Sequence, residues 1–119
     1  MELYLIRHTS VAVPKGICYG ATDVALSSTF EEEAAAVKCG LEGLKFDAVF
    51  TSPLSRAVKL AAFCGYADAK KDERLKELNF GEWEMKSFDD LYKEDERFRE
   101  WCEGDYVNLP APGGESLAQ

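Results

Sequence analysis

An α/β fold with a mainly parallel sheet is what this sequence predicts, and three observations predict it. Residues 3–6 are continuously apolar, which suits a strand buried on both faces of a parallel sheet. Segments of strand and helix character alternate along the chain, the order expected when right-handed crossovers join parallel strands. The helical stretches carry apolar residues three and four apart.

The first strand, 3–6, runs directly into Arg7-His8. Residues 9–26 form a long connection containing Pro14, Gly16 and Gly20, and connections of this length in a compact domain are usually functional. Ser28-Thr29-Phe30-Glu31 fits a capping box. A helix is expected from there to about Lys38 or Leu44, with Phe30, Ala34, Val37, Leu41 and Leu44 on one stripe and an end blurred by Gly40 and Gly43. Residues 47–51 read as a second strand. Ser52 and Pro53 then suit the N-cap and first position of a helix. Leu54, Val58, Ala61 and Ala62 form its buried face, and Gly65 stops it. A weaker extended stretch spans 67–71, and 77–83 reads as a loop or turn containing Gly81. Ser87 with Asp90 caps another helix, with Phe88, Leu91, Asp95, Phe98, Trp101 and Cys102 roughly on one face and Gly104 at its end. A Pro/Gly loop covers 109–114, and 115–117 opens a further element.

A length of 119 residues bounds the chain to a single domain over 1–119. The net charge of −8 argues against a nucleic-acid backbone as partner, because like charges repel. It leaves room for a small anion, since one local pair of arginines overrides the global sign. No apolar stretch approaches bilayer length, and the opening residues carry no secretory leader. The expected setting is therefore the cytoplasm, with no membrane partner. Cys18, Cys39, Cys64 and Cys102 are irregularly spaced, form no CxxC, and are not near the single His in sequence. Neither a metal site nor a disulfide framework is expected. Cys39, Cys64 and Cys102 read as buried or half-buried thiols in a reducing compartment, while Cys18, in a loop beside Tyr19-Gly20, stays open.

Three segments carry chemistry. Ligands of open α/β sheets bind just past the carboxyl ends of strands, which is where Arg7-His8 falls. Arg offers a permanently charged planar fork for phosphate, and His a nucleophile or proton carrier near neutral pH. Arg56 falls in the first turn of the helix after the second strand, where a cation makes sense if an anion is bound there. Adjacent parallel strands would gather Arg7, His8 and Arg56 into one crevice, a constellation for phosphoryl transfer. The third segment is 74–84. Glu77 is followed there by an apolar, Gly-containing turn that could desolvate its carboxyl and raise its pKa toward general-acid range. Spacing alone leaves Glu82 and Glu84 as rivals for that role.

Taken together, strand-Arg7-His8, Ser52-Pro53-Leu54-Ser55-Arg56-Ala57 and Leu75-Lys76-Glu77 with Phe80-Gly81 and Trp83-Glu84 resemble the histidine phosphatase superfamily in order and spacing. The resemblance implies a three-layer α/β/α, phosphoglycerate mutase-like fold, here C-terminally incomplete, with a helical insertion at about 85–112. Thr9 and the segment 18–26 are most similar to alpha-ribazole phosphatases, which act in cobalamin biosynthesis. The resemblance implies His8 as the nucleophile that becomes phosphohistidine and Arg7 and Arg56 as phosphoryl ligands. It assigns Glu77 as the proton donor to the leaving oxygen and later the base for water. Tyr19 and Gly20 match a loop position that contacts substrate, and Ser10 a position that helps hold the phosphate loop. It implies no metal and no cofactor.

Two departures stand out. Thr9 replaces the family's usual Gly, and the second family histidine, borne on a later strand, is absent from these residues. Without that strand, apolar sheet edges are expected to be exposed, giving poor stability or pairing with another chain, a homodimer among the options. The expected partner is a small phosphomonoester. Alternatives within the superfamily are a broad-specificity or sugar-phosphate phosphatase. A mutase fits less well because the Gly-Glu-Ser pattern after the histidine is missing. An alternative of another class is a non-catalytic phosphate-binding remnant.

Overall fold

The computed structural model describes residues Met1–Gln119. The chain divides into two compact units. One comprises Met1–Val13 with Asp23–Leu75, the other Pro14–Thr22 with Lys76–Gln119.

In the first unit, α1 spans Phe30–Gly40, β1 Phe50–Thr51, α2 Ser55–Phe63 and β2 Lys70–Lys71. β1 and β2 pair in parallel, Phe50 opposite Lys70 and Thr51 opposite Lys71, as the α/β reading requires. Flanking bonds from Lys70 N–H to the Val49 carbonyl (3.0 Å) and from Asp72 N–H to the Thr51 carbonyl (2.9 Å) extend the ladder. Ala34, Leu54 and Leu60 are buried, and Phe30 meets Phe63 edge-on at 5.7 Å. Val11 and Leu26 form an antiparallel bridge that closes the loop after His8.

Three expectations for this unit need correction. The segment 3–6 is not a buried strand; it enters no ladder, and Leu3 and Leu5 are 77% and 88% exposed. A strand exists only where a neighbour supplies N–H and C=O groups, and no segment of these residues pairs with it. The capping box at 28–31 does not form. The Thr29 hydroxyl donates to Glu33 Oε2 at 2.6 Å instead of accepting from the helix. α2 begins at Ser55, not at Pro53. Ser52 Oγ accepts from Leu54 N–H (3.2 Å) in a local turn, and the helix start is capped by Asp23 Oδ1. That oxygen accepts from both Ser55 N–H (2.9 Å) and Ser55 Oγ (2.6 Å). Gly65 stops α2 as expected, at φ +96° with Tyr66 N–H on the Ala61 carbonyl at 2.8 Å.

The second unit holds one 3₁₀ turn, Gly81–Trp83, and two helices, α3 Phe88–Glu94 and α4 Glu96–Glu103. Its core joins Cys18, Trp83, Leu91, Phe98 and Ala111, with Phe80 and Trp101 against it. Trp83 meets Phe98 edge-on at 5.1 Å. The single helix expected over 88–102 is broken at Asp95, whose extended backbone (φ −113°, ψ 106°) ends α3 and begins α4. Aspartate competes with the helix for its own N–H groups. Here Oδ1 accepts from Arg97 N–H at 2.9 Å, and Oδ2 accepts from Trp83 Nε1 at 3.0 Å. Asp95 therefore leaves the predicted apolar face to become a cap. Ser87 caps α3 as expected, accepting from Asp90 N–H at 3.4 Å. Gly81 (φ +54°) sits where a Cβ would lie 2.2 Å from the Pro112 carbonyl oxygen, so the turn admits no side chain.

Candidate active site

The candidate residues are divided between the units. Arg7, His8, Ser10 and Arg56 belong to the first, and Tyr19, Gly20 and Glu77 to the second.

In the first unit, His8 is half-buried and Arg7 exposed. His8 Nδ1 lies 2.7 Å from the Thr9 carbonyl oxygen. A carbonyl only accepts, so Nδ1 carries the proton and Nε2 is the nitrogen with the lone pair. That is the tautomer a nucleophilic imidazole needs. Arg56, in the first turn of α2, is 1% exposed. Its guanidinium is always charged, and its field reaches Asp23, whose carboxyl pKa is lowered. The hydrogen bonds from Ser55 contribute most of that lowering, and Arg56 and Lys59 add to it. Ser10 donates through both N–H (3.1 Å) and Oγ (2.9 Å) to Glu33 Oε1. Its hydroxyl thus braces the segment after His8 on a carboxylate. Bonds from Thr29 and Ser10 hold the Glu33 carboxyl below its ordinary range. Thr9 is buried, with a hydroxyl that finds no hydrogen-bond partner.

In the second unit, Gly20 is buried, Tyr19 half-buried, and Glu77 exposed. The expected apolar enclosure of Glu77 is not present: the residue is exposed, while Phe80 packs on the Trp83 core. The two neighbouring carboxylates are committed elsewhere. Glu82 Oε2 pairs with Arg97 Nη2 at 3.1 Å, with both side chains more than half exposed. Glu84 accepts from Gly20 N–H, Thr22 N–H, the Thr22 hydroxyl and Phe80 N–H. Burial raises its pKa, but the bonds from Thr22, Gly20 and Phe80 outweigh burial, and the net shift is downward. Glu84 is held as an anion and is a poor proton donor.

Cys18, the open case in the sequence, is fully buried. Burial first, then the charge of Glu84 and the Cys102 thiol, pushes its own thiol up to about 12, which makes it inert. Cys39 and Cys102 are exposed, contrary to expectation, because they lie on the outer faces of α1 and α4, and Cys64 is half-buried.

Sequence reasoning missed Asp23 and Glu33 entirely. Each contacts its partner from 32 and 23 residues away, so no local pattern marks it. Glu84 carried a signal, since it ends the third motif, but its partners at Gly20 and Thr22 could not be read from spacing.

This half-buried histidine in a fixed tautomer, a buried arginine and a small parallel sheet are accompanied by a match to the histidine phosphatase superfamily (branch 1) over residues 3–119. The chain belongs to that superfamily. It is 32% identical over 118 residues to the adenosylcobalamin/alpha-ribazole phosphatase of Escherichia coli, covering 95% of this chain and 58% of that protein. It is 30% identical over 125 residues to the "Probable phosphoglycerate mutase GpmB" of Escherichia coli, covering 100% of this chain and 57% of that protein. Among solved structures, the alpha-ribazole phosphatase from Shigella flexneri aligns with a TM-score of 0.78 at 29% identity, over 87% of this chain and 52% of that one. The chain thus spans less than two thirds of the length of these relatives.

Proposed function

We propose that this protein hydrolyses phosphomonoesters through a phosphohistidine at His8, with alpha-ribazole 5′-phosphate as substrate. The observation that carries the reading is the 2.7 Å bond from His8 Nδ1 to the Thr9 carbonyl, which leaves Nε2 as the nucleophile. Membership of the superfamily supports the reaction class. Likeness to two alpha-ribazole phosphatases supports the substrate.

In this mechanism Nε2 attacks phosphorus, and the P–O bond to the alcohol breaks in line. Glu77 gives its proton to the departing oxygen. Arg7 and Arg56 hold the phosphoryl oxygens and spread the charge of the transition state. The Glu77 carboxylate then takes a proton from water as that water attacks phosphorus. The P–N bond breaks, and inorganic phosphate and neutral His8 are regained. The spacing of the third motif within the superfamily supports Glu77 as the acid. Ser10, tied to Glu33, acts as a brace for the loop after His8. Tyr19 and Gly20 contact the remainder of the substrate.

The test is phosphate release from an aryl phosphate with EDTA present, comparing the chain with His8→Ala. Release that vanishes in the variant supports a metal-free histidine nucleophile. Arg56→Ala should then lose about 10²–10³-fold in kcat, the usual cost of one transition-state donor. Release that persists in His8→Ala overturns the proposal. No release from the chain, with phosphoester still bound, favours the non-catalytic phosphate-binding reading.

A further inference from the structure

We infer that Glu84 is a positioning residue whose single carboxylate holds the 19–22 loop and the segment following Glu77 in one fixed arrangement. The inference rests on the proposed function, which places substrate contact in that loop and the proton donor at Glu77.

Oε1 accepts from Gly20 N–H at 3.0 Å, from Thr22 N–H at 2.9 Å and from the Thr22 hydroxyl. Oε2 accepts from Phe80 N–H at 3.0 Å. Four donors from two separate stretches of chain therefore end on one side chain. A second observation shows how closely these stretches approach. A Cβ on Gly20 would lie 1.9 Å from the Leu78 carbonyl oxygen and 2.9 Å from Phe80 Cδ2. The loop thus lies directly on the residue after Glu77, in a space that only glycine fits. Displacement of either stretch by an ångström would misplace a proton donor, and small misplacements are costly in catalysis. The carboxylate cannot be replaced by an amide. The carbonyl oxygen of Gln could keep the loop side, but its NH₂ group would face Phe80 N–H donor to donor.

The experiment uses the 119-residue chain and Glu84→Gln. Turnover is measured on p-nitrophenyl phosphate, whose leaving group departs without a proton, and on an alkyl phosphate, whose leaving group needs one. Amide exchange is followed at Gly20, Thr22 and Phe80. We expect kcat/KM on the alkyl ester to fall about tenfold further than on the aryl ester, with faster exchange at Phe80. A merely structural role would lower both esters equally. Thr22→Val removes only one donor at similar volume and guards against a misfolded Gln variant. It should raise KM several-fold on both esters with kcat retained. Equal losses on both esters in an active protein, or unchanged exchange at Phe80, would overturn the inference. Silence of the unsubstituted chain on both esters would instead overturn the phosphatase reading. The clamp would then stand or fall on amide exchange alone.

Discussion

The two units contain similar kinds of apolar residue and use them differently. The second gathers Trp83, Phe98, Leu91, Cys18 and Ala111 into one connected core, with Phe80 and Trp101 against it. The first buries only Val24, Ala34, Leu54 and Leu60 among its larger or smaller apolar side chains, and leaves Leu3, Leu5 and Phe50 more than half exposed. A helix pair can close a core with local partners, whereas a strand needs neighbours on both sides. An apolar run of strand type thus states a need for partners and does not itself provide them.

The largest effect that separates the units is core truncation. Trp83→Ala should cost about 3–5 kcal/mol in denaturant unfolding, while Leu5→Ala should stay within about 0.5 kcal/mol. Comparable losses would erase the contrast. Next is association. The exposed run at 3–6 should make the chain self-associate, and Leu5→Lys should weaken that association about tenfold, roughly 1.4 kcal/mol, by analytical ultracentrifugation. A monodisperse monomer that melts cooperatively would refute this. The smallest effect concerns the break between α3 and α4. Asp95 has a carboxyl held down at about 2, first by Arg97 and then by Trp83 Nε1. A lowered folded-state pKa gives stability that is full above the unfolded value and is lost as pH falls through the folded one. Asp95→Asn keeps a cap oxygen for Arg97 N–H but loses the charge beside the Arg97 guanidinium and turns an NH₂ group toward Trp83 Nε1, so it should cost about 1 kcal/mol at pH 7, and the deficit should shrink between about pH 4 and 2. A deficit unchanged at pH 2 would count against a role for the Asp95 charge.

Much of the fold was legible locally. Gly65 with its left-handed backbone ends α2, Ser87 caps α3, and Arg56 does fall in the first turn of its helix. These features depend on residues within a few positions of one another. Asp95 misled because helical periodicity counted it on an apolar face, while its short carboxylate prefers a helix start, and Trp83 supplies a further reason to stay there.

The superfamily, the parallel α/β character and the candidate roles of His8, Arg7 and Arg56 are written in the chain itself, because short motifs and period are carried by neighbouring residues. Only the tertiary structure decided that Asp23 caps α2, that Glu33 holds Ser10, and that Glu84 is spent on Gly20, Thr22 and Phe80. It also decided that residues 3–6 lie exposed and unpaired. Each of these turns on groups distant in the chain competing for the same hydrogen bonds or the same shelter from water, a competition that no window along the sequence contains.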